Sequence, residues 1–249
     1  MRIITISCLT DNYAYLIAAG GACAVVDPSE VGPVRAALSR EGLTLTHIVN
    51  THHHGDHTGG NLELKREFGA TVVGPARENG RIPGLDVAVS EASGWNFAGH
   101  DVAILDVPGH TLGATTYVIA GNAFTGDTLF SCGCGRVLEG DPAMMWASLE
   151  KLMGLPDDTK LWCGHEYTEK NAAFALTLEP ENQALRMFAQ VVRQARAKGT
   201  PSMPSTMKLE KSVNPFLRPQ DAAIRKALGM ADARDAEVFA EVRRRKDVY

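Results

Sequence analysis

The first half of the chain alternates short apolar, β-branched runs with turns. Residues 2–7 (RIITIS), 13–18 (YAYLIA), 22–27 (ACAVVD), 46–51 (THIVNT), 70–74 (ATVVG), 101–107 (DVAILDV), 115–120 (TTYVIA) and 122–126 (NAFTG) read as strands. Helix patterns interrupt them at 33–40 and 61–68, the second following Gly59-Gly60 and ending at Gly69, the usual stop of a helix. This predicts two packed sheets clad by helices. After about residue 168 the period changes. Leu185, Phe188, Val192 and Ala195 recur on one helical face, with Pro180 at the expected start and Gly199 past the end. Shorter helices are expected over 220–228 and 232–244, with an ordered, proline-punctuated loop between 200 and 219.

Composition narrows the field. An apolar fraction of 45% with 22% charged residues describes a globular chain with a sizeable core. A net charge of −4 offers no field for gathering nucleic acid or an anionic membrane, so neither is an expected partner. No apolar run reaches the roughly 18 residues of a membrane span, and Thr, Ser, Asp and Asn break the N-terminal segment, which therefore does not read as a secretory signal. Five cysteines (8, 23, 132, 134 and 163) form no disulfide framework and fit a reducing, cytoplasmic setting.

The chemistry gathers in THHHGDHTGG, residues 51–60. In an extended segment, residues i and i+2 project to one side roughly 6.5–7 Å apart. His52 and His54 can thus converge on one ion while His53 points away, and Asp56 and His57, beyond Gly55, can face a second. His110, Asp127 and His165 each follow an apolar run and a glycine, where a strand meets a loop. A mononuclear site needs three or four ligands; these make seven, enough for two open three-ligand sets joined by a shared carboxylate. His47, His53 and His100 read as surface or satisfied core residues. A thiolate site at CGCG with Cys163 is a rival, but C-x-C lacks the usual spacing, so the cysteines read as buried or loop thiols.

H-x-H-x-D-H with the later glycine-flanked His, Asp and His resembles the metallo-β-lactamase superfamily. Within it, LTDNYAYLI (9–17), THHHGDHTGGN (51–61), PGHTLGATTY (108–117), TGDTLFSCGCGR (125–136), GHEYTEKNAAFAL (164–176), NPFLR (214–218) and RRRKD (243–247) resemble the glyoxalase II, or hydroxyacylglutathione hydrolase, family. The resemblance implies an α/β fold: an αββα sandwich as catalytic domain over 1–168 and a smaller all-helical, substrate-binding domain over 169–249. It implies two divalent ions per chain, zinc first, with iron or manganese as alternatives. His52, His54 and His110 would hold one ion, Asp56, His57 and His165 the other, and Asp127 would bridge. Asp56 and Asp127 would then be catalytic in setting the cluster's charge, leaving two ions and a hydroxide at about +1, electrophilic toward a carbonyl.

Arg136, Tyr167, Arg243 and Lys246 would bind substrate, although the family usually has Lys where Arg136 stands and Tyr where Leu138 stands. The implied reaction is hydrolysis of a glutathione thioester, S-D-lactoylglutathione giving D-lactate and glutathione, by a cytoplasmic monomer degrading methylglyoxal. The alternative is a mononuclear-iron persulfide dioxygenase of the same fold.

Overall fold

Strands β1 (Arg2–Cys8), β2 (Asn12–Ala19), β3 (Ala22–Val26), β4 (His47–Val49), β5 (Thr71–Pro75) and β6 (Val87–Val89) form one sheet in that order, antiparallel as far as β3 and parallel beyond it. Strands β7 (Trp95–Phe97), β8 (His100–Asp106), β9 (Thr115–Ile119) and β10 (Asn122–Gly126) make an antiparallel meander. Alternation assigns each side chain its layer. Leu16, Val25, Ile48 and Val72 join a core with Val34, Leu38 and Leu64 of the helices, while Ile17, Ala24, Val26 and Val49 meet Val102, Tyr117, Ile119 and Phe124 of the meander. A sheet covered on both faces has no polar face to display, which is why its strands read as unbroken apolar runs.

The computed structural model describes Met1–Tyr249. These strands belong to the first of two packing units, Met1–Asp106 with Leu112–Gly126; the second is Val107–Thr111 with Asp127–Tyr249. No helix is long and apolar enough to cross a membrane.

Three helices complete the first unit: α1 (Val31–Glu41), α2 (Gly55–Thr58) and α3 (Asn61–Phe68). Gly42 and Gly69 close α1 and α3 in the left-handed region, at φ 64° and 66°. Helix α2 is a single turn where the sequence reads as loop, because the amides of His57 and Thr58 both donate to the His54 carbonyl. The glycine pair after it serves close approach. A Cβ on Gly59 would lie 2.4 Å from the Ser29 carbonyl oxygen, and the Gly60 amide donates to the Pro28 carbonyl. The histidine turn is thereby pressed onto the end of β3.

The second unit holds the hairpin β11 (Leu129–Phe130) and β12 (Gly133–Cys134), helix α4 (Pro142–Met153), β13 (Lys160–Cys163), and helices α5 (Thr168–Leu178) and α6 (Gln183–Arg196). After them come β14 (Ser205–Thr206), α7 (Met207–Val213), α8 (Ala222–Leu228) and α9 (Asp235–Asp247). Leu185 and Ala189 of α6 pack on Ala172 and Ala175 of α5. An aromatic chain runs from Trp146 through Phe239 and Phe216 to Phe174, with centroids 5.8, 6.1 and 6.2 Å apart.

Three details differ from the sequence reading. Helix α6 starts at Gln183 rather than Pro180, because the Asn182 side chain accepts from the Leu185 amide and makes the better cap. The 200–219 loop contains β14, paired antiparallel with β13, and helix α7, which buries Met207, Glu210 and Val213. Packing also ties α4, which lies before residue 168, to α9 through Trp146 and Phe239. Composition follows residue type, whereas packing follows contacts.

Replacing Gly59 with Ala should cost about 1–3 kcal/mol of stability through overpacking against Ser29, measured by chemical denaturation; an unchanged midpoint would show that this approach carries no constraint.

Candidate metal centre

In the first unit the ring orientations trace to one carboxylate that sequence reading did not single out. Asp27, 2% exposed at the end of β3, accepts from the Thr51 amide at 2.8 Å and the Thr51 hydroxyl at 2.6 Å. It also accepts from His57 Nδ1 at 3.1 Å. The Thr51 hydroxyl has one hydrogen and gives it to Asp27, so at 3.0 Å from His52 Nδ1 it must act as acceptor. Both imidazoles therefore carry their proton on Nδ1 and present the Nε2 lone pair, the state in which histidine ligates a metal. Asp27, His52 and His57 form a tight group of potential donors, but Asp27 is committed to hydrogen bonds and serves as the orienting residue. Its signal was a carboxylate closing an apolar strand, the same one that marked Asp127, without the glycine.

The neighbouring donors are set at short range. His52 Nε2 lies 3.0 Å from His54 Nδ1, and His57 Nε2 lies 3.6 Å from Asp56 Oδ2. The His52 and His57 rings sit 4.2 Å apart at their centroids. Asp56 is held by Asn12, whose carboxamide donates to the carboxylate at 3.0 Å and to the backbone carbonyl at 3.1 Å. His53 turns to the buried Glu78 at 2.8 Å, in keeping with its expected non-ligand role. His47 packs on Trp95 and Phe97.

The second unit carries a matching group. Asp127 Oδ2 lies 3.5 Å from His110 Nε2 and 3.3 Å from His165 Nε2, so one carboxylate oxygen meets both rings. His110 donates from Nδ1 to the Arg136 carbonyl at 2.8 Å, which again leaves the Nε2 lone pair available to a metal. Tyr167 stacks on His165 at 4.8 Å and 5°, and Phe130 meets both rings edge-on. Two donors roughly 2.0–2.1 Å from one tetrahedral zinc lie about 3.4 Å apart. The donor pairs within each group, at 3.0–3.6 Å, fit that separation.

Asp127 and His110 also line a cleft of about 330 Å³, together with Phe130, Arg136, Tyr167, Lys170, Arg243 and Lys246. All four sequence-assigned substrate residues are in its wall; Lys170, unassigned, adds a fourth cation. Arg243 is 6% exposed, donating to the Cys134 carbonyl at 2.7 Å and pairing with Asp247 at 2.9 Å. Lys246 lies over the Phe174 and Tyr249 rings, and burial, with Arg243 and Lys170 nearby, pulls its ammonium down from 10.5 to about 8. All five cysteines are buried, and none is in a disulfide. Burial pushes the Cys163 thiol up to about 12, and holds that of Cys134 at about 11 against the pull of Arg243.

Residues 166–249 match the family profile described as hydroxyacylglutathione hydrolase C-terminus, and residues 9–94 and 91–165 match the metallo-beta-lactamase superfamily. A hydroxyacylglutathione hydrolase from Cereibacter sphaeroides is 51% identical, with 100% of this chain and 99% of that protein covered. The chain belongs to the hydroxyacylglutathione hydrolase family. A second hydroxyacylglutathione hydrolase, from Methylococcus capsulatus, is 49% identical over the same shares.

Solved structures share the metallo-β-lactamase fold. ETHE1 from Myxococcus xanthus superposes with a TM-score of 0.70 at 24% identity, covering 98% of this chain and 90% of that one. TTHA1623, solved in a di-iron-bound form, gives 0.60 at 24% identity, covering 87% and 100%. The fold with its histidine–aspartate groups points to a dinuclear metal site in this hydroxyacylglutathione hydrolase family member.

Asp27→Asn keeps the size and the left-handed backbone tolerance that φ 48° demands but removes the charge that orients His52 and His57. It should weaken binding of both ions, by about 10–100-fold each, in a chelator competition. Wild-type affinity at both would refute the orienting role.

Proposed function

We propose that the chain hydrolyses S-D-lactoylglutathione to D-lactate and glutathione, as a monomer holding two zinc ions, with iron or manganese as substitutes. The observation that carries this reading is the cleft that joins His110 and Asp127 to Arg136, Lys170, Arg243 and Lys246. A metal-binding carboxylate and a cationic wall in one cavity suit a substrate with a reactive carbonyl at one end and carboxylates at the other. The family relationship supports the ligand sets His52, His54 and His110 for one ion and Asp56, His57 and His165 for the other, with Asp127 between them.

Bound divalent ions supply Lewis acidity and lower the pKa of water to about 7, giving a nucleophile at neutral pH. The protein's own part is placement. Asp27 and the Arg136 carbonyl keep Nδ1 protonated on His52, His57 and His110. Asp56 and Asp127 offset the ions' charge. Arg136 and Lys246 attract the glycine carboxylate, with Arg243 holding the Cys134 turn beneath it and Tyr167 fixing the ring of His165. The leaving thiolate, of ordinary pKa near 8.5, needs no general acid. Hydrolysis is favoured over mononuclear-iron persulfide oxidation because a second ligand set and the family's helical extension are both present.

Zinc-loaded protein should release glutathione from S-D-lactoylglutathione and form no sulfite from glutathione persulfide; the reverse would select the dioxygenase. Asp127→Ala should cost both ions and the hydrolysis, and retention of full metal content would remove Asp127 from the bridging position.

The Lys246 ammonium gives a pH signature. It is cationic below about 8 and neutral above, so attraction for the substrate carboxylate is present at low pH and lost as pH rises through that value. Because kcat/KM reports the free enzyme, it should fall above pH 8 for the glutathione thioester relative to a small thioester without the carboxylate. Lys246→Arg should flatten the ratio between pH 7 and 9. An identical profile for both substrates would exclude Lys246 from binding.

A further inference from the structure

Glu210 of α7 is completely buried, and its carboxylate receives four donors. Oε1 accepts from the hydroxyls of Ser131, at 3.0 Å, and Ser205, while Oε2 accepts from the Cys132 amide at 2.7 Å and the Asn214 carboxamide at 3.0 Å. Asn214, also completely buried, donates further to the carbonyls of Phe130 at 3.2 Å and Gly133 at 3.0 Å. Two adjacent side chains thus grip four consecutive residues, 130–133. The grip has something to hold, since Cys132 lies at φ 55°, in the left-handed region that a non-glycine residue rarely adopts.

The gripped turn leads directly to the metal ligands. Gly135 sits so close to the Asp127 backbone that a Cβ would be 1.8 Å from its carbonyl oxygen and 3.4 Å from His110 Nδ1. The next carbonyl, that of Arg136, is the one that accepts from His110 Nδ1. The height of the 130–136 turn therefore decides where that acceptor stands, and so which way the His110 ring faces Asp127.

We propose that Glu210 and Asn214 are positioning residues for His110: they clamp the 130–136 turn so that the Arg136 carbonyl holds the imidazole with Nε2 directed at Asp127. The helical extension then has a role in metal binding besides its cationic contribution to the cleft. The proposal rests on the reading of His110 as an ion ligand.

The test uses the full-length chain and zinc. Asn214→Ser removes the carboxamide that bonds Phe130, Gly133 and Glu210; Ser131→Ala, which deletes one bond to Glu210, gives the same readouts at smaller amplitude if the first variant does not fold. His110→Ala is the reference. Zinc affinity is measured by chelator competition, steady-state kinetics with a glutathione thioester are measured at saturating zinc, and the metal-free proteins are melted in parallel. Loss of a contact that orients a ligand typically weakens a site by about 10–100-fold, so Asn214→Ser should weaken binding of one of the two ions on that scale and lower kcat, with KM within about twofold. Wild-type affinity for both ions with only a lower metal-free melting temperature would reduce the clamp to ordinary packing, and a change confined to KM would assign it to substrate binding; either overturns the proposal. Full zinc affinity in His110→Ala would overturn the ligand reading itself, separately from the clamp.

Discussion

A buried carboxylate that accepts three hydrogens governs the first unit's histidine cluster. Asp27 settles where the protons sit on two imidazoles, on His57 directly and on His52 through the Thr51 hydroxyl. The consequence is electrostatic. Rings fixed in this tautomer aim lone pairs rather than N–H groups at their surroundings, and lone pairs converging at 3.0–3.6 Å repel unless a proton or cation lies between them. The histidine turn is pressed onto β3 by Gly59 and Gly60, and Asn12 reaches from β2 to secure Asp56. These features keep the donors where a cation is the natural complement.

The second unit solves the same problem with backbone. A carbonyl, that of Arg136, replaces Asp27 as the acceptor for His110, and aromatic stacking on Tyr167 holds His165. A carbonyl is neutral, so it orients the ring without adding charge beside Asp127. Its position depends on the turn that carries it, whereas Asp27 depends on a strand end buried in the sheet core. That dependence accounts for the buried polar side chains that the second unit sets against residues 130–133.

The sequence disclosed what local pattern encodes. Runs buried on both faces announced the strands, and Gly69 marked the end of α3 at the residue where it ends. The histidine and aspartate groups were legible because these residues recur beside glycines where strands meet loops. Helix α4 also had readable signals, an Asp141 cap and Pro142 in its first turn, yet it is absent from the elements assigned from sequence. Helix α5 had none, since Tyr167 offers no side-chain cap. Glu210 and Asn214 were beyond reach for a different reason: their partners lie up to 84 residues away in the chain, and only folding brings them together. Arg243 was legible as a cation on a helix face, but its bond to the Cys134 carbonyl spans 109 positions and could not be.

The burial of every cysteine bears on how the protein coexists with its own product. Hydroxyacylglutathione hydrolases release a thiol, and in a cell that thiol stands in equilibrium with its disulfide. Mixed-disulfide formation requires an accessible thiolate. At a pKa of about 11, as for Cys8, Cys23 and Cys134, about one thiol in ten thousand is ionised at pH 7, and all five sulfurs lie inside the fold. Buried and held in the thiol form, the five cysteines present no accessible thiolate to a disulfide of that pool.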